Sequence, residues 1–295
     1  MKTNWQDNVP AASHFKIKDH YGMQDLLDIM AFLRSDRGCP WDRVQTHASL
    51  RQNLLEEAYE TIDAIDSEIP ERLCDELGDV LMQVAFHAQL GLEAGNFTFD
   101  DVVGGICRKL ISRHTHIFGS DQADTPAAVL DTWEKNKLKE KGFLNQAQVL
   151  NDVPRSLPAL QRSYKVQQKA AQVGFDWDDA SGPKSKINEE LQEIETCLED
   201  CQIAVHQGRM SVEAADRAVS AEVGDLLFAA VNYARHLKVQ PEMALNGTTE
   251  KFIRRFARVE EMARIHGQDL ANMSLPEMDL LWDRVKEQEK AGNES

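Results

Sequence analysis

Glu189-Glu190-Leu191-Gln192-Glu193 is answered further along the chain by Glu222-Val223-Gly224-Asp225, and both stretches lie in segments of helical periodicity. At 3.6 residues per turn Glu190 and Glu193 share one helix face, as do Glu222 and Asp225. Two antiparallel helices turning those faces together gather four carboxylates around one small volume. Such charges repel strongly unless a cation sits among them. Oxygen-only ligands suit Mg²⁺ or Mn²⁺ better than zinc, so the stretch predicts a hard-metal site between two helices.

The arrangement occurs twice. Glu56-Glu57-Ala58-Tyr59-Glu60 precedes Glu76-Leu77-Gly78-Asp79; Glu57 and Glu60 stand 133 residues before Glu190 and Glu193, and Glu76 and Asp79 stand 146 before Glu222 and Asp225. The offset thus grows by 13 in the segment joining the two acidic helices. Repetition of this kind reads as duplication. It divides the chain into an N-terminal repeat, 1–145, and a C-terminal repeat, 146–295.

A chain of 295 residues has room for two ordinary domains, and 42% hydrophobic with 28% charged residues describes a soluble globular protein. The net charge of −16 leaves no basic stripe for nucleic acid and disfavours anionic membranes. A polyphosphate ligand would have to be met locally, by metal and a few placed Lys and Arg. The five cysteines form no Cys-x-x-Cys pair and read as free thiols of a reducing compartment; Cys197 and Cys201 stand four apart with no partner to complete a zinc set. Met1 to Pro10 lacks an apolar signal core, and the apolar run Val80 to Leu92 is too short to span a bilayer, which places the protein in the cytoplasm.

Helical spacing is predicted over 21–35, 46–67, 71–94 and 98–117, then over 158–173, 184–206, 211–238, 240–264 and 276–290, with residues 1–20 patternless and 142–158 a linker. No alternating strand pattern of useful length occurs. The fold expected is all-α, two similar helical bundles in tandem. Ahead of each acidic helix lies a turn with an aromatic, Gly38-Cys39-Pro40-Trp41-Asp42 and Gly174-Phe175-Asp176-Trp177-Asp178. A Trp beside a turn reads as a core anchor, and its recurrence leaves a ligand platform open. Gly78 and Gly224 sit mid-helix, a placement that costs about 1 kcal/mol against Ala and that close helix–helix approach would justify. Lys109 and Arg113 recur as Lys251 and Arg255, an i, i+4 pair read as a phosphate clamp. Trp133-Glu134-x-x-Lys137 recurs as Trp282-Asp283-x-x-Lys286, able to stack on a base and reach a phosphate.

Rival chemistries lack their residues. A di-iron carboxylate bundle needs Glu-x-x-His, and no His in the chain has an acid three residues before it. There is no Gly-x-Ser-x-Gly, no Cys/His arrangement and no Walker phosphate loop.

Glu-Glu-x-x-Glu followed by Glu-x-x-Asp on paired helices, with Cys-Pro-Trp-Asp ahead of it, resembles the MazG nucleoside triphosphate pyrophosphohydrolases in their two-repeat bacterial form, over roughly Tyr21 to Lys290. The resemblance implies an all-α fold, a homodimer, Mg²⁺ dependence, hydrolysis of NTP and dNTP (ATP included) to NMP and pyrophosphate, and a nucleotide-pool housecleaning role. It implies Glu190, Glu193, Glu222 and Asp225 as metal ligands. It also implies Lys186, Glu189, Lys251, Arg255, Trp282 and Lys286 as nucleotide contacts, with Glu189 joining the metal carboxylates as catalytic groups. The first repeat departs from this set: Asn53 stands where the second has Lys186, and Ser112 where it has Arg254. The second repeat is therefore expected to be the main catalytic unit. The set Glu57, Glu60, Glu76 and Asp79 would bind metal more weakly, serve other substrates or build the oligomer. Two other readings stay open on the same residues: a module that binds a nucleotide or alarmone without cleaving it, and a helical scaffold with acidic faces.

Overall fold

The computed structural model describes residues 18–292, so the expectations for the first residues of the chain fall largely outside it. Among the described residues there is no strand, and the fold is all-α. The chain divides into two compact units between Glu140 and Lys141.

The first unit holds α1 (Met23–Leu33), α2 (Pro40–Val44), α3 (Arg51–Asp66), α4 (Pro70–Glu93), α5 (Phe99–Arg113), α6 (Thr115–Phe118) and most of α7 (Pro126–Lys141). Local chemistry sets these boundaries. Pro70 opens α4 at its first turn, where a missing N–H costs nothing. Thr98 caps α5 in a reciprocal box with Asp101, the Thr98 amide donating to Oδ2 at 2.8 Å. α3 and α4 pack as a helical pair, with α1 and α5 laid on α4. The core is formed by Met30, Leu50, Phe86 and Leu90, with Met82 beside it. These come from three elements at helical spacing, and burying each large side chain is worth about 1.5–3 kcal/mol.

The second unit holds α8 (Gln146–Asn151), α9 (Ala159–Ala171), α10 (Ser181–His206), α11 (Val212–His236), α12 (Pro241–Ile265), a 3₁₀ turn at Leu270–Asn272 and α13 (Leu275–Gly292). Its plan follows the first: a long helical pair, α10 with α11, carries α9 on α11, while α12 pairs with α13. The α12/α13 pair closes over Val259, Ala263, Leu281 and Val285. No helix among the described residues is long and apolar enough to cross a membrane. None of the five cysteines is in a disulfide.

Three expectations need correction. The segment 142–158 is no bare linker, because Asn145 caps a short helix by accepting the Gln148 amide at 3.0 Å. Trp41 and Trp177 are not core anchors, being 54% and 46% exposed. The Trp177 ring instead lies on the backbone of α10 at Gly182, where an added Cβ would meet its Cδ1 at 2.2 Å. Gly78 and Gly224 serve no close approach within either unit: a Cβ at each would meet nothing within 4 Å.

Candidate active site

In the second unit the site is written along one face of α10. From Gly182, under Trp177, spacings of three and four residues lead through Lys186 and Glu189/Glu190 to Glu193. Across from them α11 presents Glu222. Carboxylate oxygens of Glu190, Glu193 and Glu222 all lie within 4.8 Å of one another, a set that could hold a metal ion. Glu190 is 4% exposed, and its Oε2 has no donor partner. A buried carboxylate left this way asks for a cation or a proton. A cation is partly supplied. Lys186 donates to Glu189 at 2.8 Å and pairs with Glu190 Oε1 at 2.7 Å. Those two contacts, with Glu189 first, hold the Lys186 ammonium above its ordinary range. A hydrogen bond with Glu190 raises the Glu193 carboxyl, with desolvation and then the Glu190 charge adding to it. Three carboxylates this close together, one of them buried, fit a divalent cation with oxygen ligands.

The first unit builds a related but not identical set. Glu57, Glu76 and Asp79 bring their oxygens within 4.8 Å of one another. Burial, and then the charge of Asp79, raise the Glu57 carboxyl, while an amide hydrogen bond from the buried Gln83 opposes them. Thr61 ties the pair of helices by donating to the Glu57 carbonyl at 2.8 Å and reaching the Glu76 carbonyl at 3.5 Å. Of the four carboxylates expected in each repeat, each close set has three. Glu60 is left out of the first and Asp225 out of the second.

The structure places Lys251, Arg255, Trp282 and Lys286 on the α12/α13 pair rather than on α10 or α11. Arg255 Nε donates to Glu289 at 2.8 Å, and its guanidinium lies 5.9 Å from the Trp282 ring centroid. Trp282 also packs against Phe252 at 5.1 Å and borders the α12/α13 core. Lys286 pairs with its neighbour Asp283 at 3.1 Å. Glu289 is the residue that sequence reasoning missed. Its signal was available, since Glu140 precedes it by 149, the offset that relates Trp133 to Trp282.

The tryptophan loops are tied down by unlike ion pairs. Asp176 accepts from Arg235 Nη1 at 2.8 Å and meets His236 Nε2 at 3.0 Å, and the Arg235 hydrogen bonds hold its carboxyl down to about 2. In the first unit Arg34 reaches Glu93 at 2.7 Å and the carbonyls of Asp42 and Gln45. Among the described residues neither pair has a counterpart in the other unit.

The sequence profile of the MazG nucleotide pyrophosphohydrolase domain matches residues 45–118, the stretch that contains Glu57, Glu60, Glu76 and Asp79. The chain is 42% identical over 265 residues to the nucleoside triphosphate pyrophosphohydrolase of Escherichia coli (strain K12), covering 90% of this chain and 97% of that one. It is 41% identical over 264 residues to the nucleoside triphosphate pyrophosphohydrolase/pyrophosphatase MazG of Thermotoga maritima, covering 89% and 95%. A shorter match, 39% over 153 residues, joins it to a nucleoside triphosphate pyrophosphohydrolase of Mycolicibacterium smegmatis, covering 51% of this chain and 46% of that one. With identity sustained across nine-tenths of its length and both acidic sets in place, this chain belongs to the MazG nucleotide pyrophosphohydrolase family.

Proposed function

We propose that the protein hydrolyses nucleoside triphosphates, ribose and deoxyribose alike and ATP among them, to the monophosphate and pyrophosphate, with the second unit as its main catalytic centre. The observation that carries the assignment is the set Lys186, Glu190, Glu193 and Glu222, where buried acid and cation meet on one surface. Glu190, Glu193 and Glu222, with Asp225 a turn further along α11, would hold Mg²⁺ or Mn²⁺. When bound, that ion supplies positive charge against the charge developing in phosphoryl transfer.

The chain's own groups do the rest. Lys186, paired with two carboxylates, is placed to exchange one of them for a phosphate oxygen. Glu189, exposed beside it, or one of the cluster carboxylates orients the attacking water and receives its proton. Lys251 and Arg255 hold further phosphate oxygens, Arg255 by exchanging Glu289, while Trp282 packs toward base or sugar and Lys286 reaches a phosphate. The first unit keeps an acidic triad but has Asn53 in place of the lysine, so a phosphate-binding cation is missing there, which supports weaker triphosphate binding by that unit.

Leu191, Leu198, Val223, Leu227 and Phe228 are exposed on α10 and α11, which supports a homodimer. Housecleaning of the nucleotide pool and a cytoplasmic location complete the reading. The test is product analysis with Mg²⁺ and a panel of NTPs and dNTPs. NMP with pyrophosphate is the expected outcome. NDP with orthophosphate would refute the cleavage point, and binding without turnover would make the chain a nucleotide sensor.

A further inference from the structure

α10 ends on a glycine that seats an arginine beside the acidic cluster's cavity. Gly208 takes the left-handed backbone, φ 67°, and Arg209 after it donates its amide to the Ala204 carbonyl at 2.8 Å, a Schellman-type helix end. The Arg209 backbone is thereby fixed against the last turn of α10. A cavity of about 740 Å³ opens between α10 and α11, and Arg209 lines it together with Asp200, Glu193 and Glu222. The last two belong to the acidic cluster. Among the described residues Arg209 is the one cation on that lining. It is exposed, and its guanidinium makes no hydrogen bond or ion pair among the described residues, Asp200 included.

The first unit places a cation differently. Arg72 stands four residues before Glu76, on one face of α4 with it. The matching position 146 residues later is Ala218, four before Glu222 and itself on the cavity lining. At the turn the relation reverses: the residue after the left-handed Glu68, φ 55°, is Ile69, where the second hairpin has Arg209 after Gly208. The second hairpin thus lacks a basic residue on α11 and carries one at its turn.

We propose that Arg209 binds the pyrophosphate half of the triphosphate, an inference that rests on the reaction proposed above. Along α10 the carboxylates lie between Lys186 on one side and the cavity on the other. From Glu193 to Ala204 the helix rises about 16 Å. An arginine reaching back from the level of Ala204 leaves, between itself and the carboxylates, a gap on the scale of a phosphate chain. Its guanidinium offers a planar fork of donors with a permanent charge, suited to two phosphate oxygens at once. The phosphate chain then runs from the cluster toward the turn, with Lys186 and Arg209 as cations at opposite ends.

The test is calorimetry on the full chain with Mg²⁺, using inorganic pyrophosphate and AMP as separate probes. A Glu57→Gln background removes a carboxylate of the first unit's acidic set, so that the second unit is read. Arg209→Gln should weaken pyrophosphate binding by about tenfold and leave AMP binding unchanged. It should also raise KM for ATP by about tenfold while changing kcat far less. Unchanged pyrophosphate affinity in Arg209→Gln would overturn the site, as would no pyrophosphate binding in the Glu57→Gln chain. Equal loss of both probes would overturn it too, moving the arginine to the nucleoside or to the fold. The variant should unfold at the same denaturant concentration as its parent, and a lowered midpoint accompanying the lost binding would return Arg209 to a structural role. Turnover of ATP to products other than AMP and pyrophosphate would overturn the reaction and leave the arginine to the calorimetry.

Discussion

In the first unit Arg113 lies 5.4 Å from the Trp133 ring centroid and pairs with Glu140 at 2.8 Å; in the second Arg255 does the same with Trp282 and Glu289. The acidic hairpins, by contrast, have parted. The second is longer, has Lys186 where the first has Asn53, and draws its close triad from Glu190, Glu193 and Glu222 rather than from the partners of Glu57, Glu76 and Asp79. An arginine held by an aromatic face and a carboxylate is kept in both copies. Divergence has fallen on the acidic hairpin, where the lysine and the close triad differ.

The sharpest way to break this comparison is to remove one ligand from each triad. Glu190→Gln should lower turnover by about 100-fold or more, the usual cost of a lost group that stabilises developing charge. Glu57→Gln should change it by less than about threefold if catalysis resides in the second unit. Steady-state rates with Mg²⁺ and one NTP decide the matter, and the opposite ranking would transfer the active centre to the first unit.

Next in size is the loop clamp. Asp176 titrates at about 2 when folded, below its ordinary 3.8, so its contribution is complete above pH 4 and disappears as pH falls toward 2. Asp176→Asn should cost about 2 kcal/mol near neutrality and almost nothing at pH 2, measured by denaturant unfolding. A penalty that does not depend on pH would mean that packing, not charge, ties down the Trp177 loop.

Lys186→Gln should raise KM for the triphosphate by about tenfold, through loss of a charge-assisted phosphate contact. The reciprocal Asn53→Lys places an ammonium four residues before Glu57 and should tighten nucleotide binding by the first unit, read by calorimetry in a Glu190→Gln background. The smallest effect is shared. Gly78→Ala and Gly224→Ala meet no neighbouring atom within either unit, and each should raise stability by up to about 1 kcal/mol through helix propensity. A loss at either position would reveal a partner packed on that face.

Periodicity made the helices legible because each long one buries a stripe at 3.6-residue spacing, and the predicted 71–94 and 211–238 became Pro70–Glu93 and Val212–His236. The duplication made the acidic sets legible as well, since one offset relates whole motifs. Helix phase was harder to read. Four acids sit at suitable spacings in each repeat, yet the geometry of each pair seats three, and the odd one differs between copies. Arg34–Glu93 and Arg235–Asp176 each join residues 59 apart and fall outside the shared offsets, so no local pattern announces them. The tryptophans misled because ring size was taken to mean core, whereas Trp177 rests on a helix backbone that Gly182 leaves bare.

The long hairpin also bears on how the second unit folds. α10 and α11 are joined by a turn of five residues, 207–211, so the first contacts between them close a short loop at little entropic cost. The Arg235–Asp176 pair spans 59 residues and must wait for that closure. The hairpin is thus expected to be built in the folding transition state and the clamp absent from it. Asp176→Asn would then leave the refolding rate nearly unchanged and speed unfolding, making the clamp a determinant of how long the unit stays folded rather than of how quickly it forms.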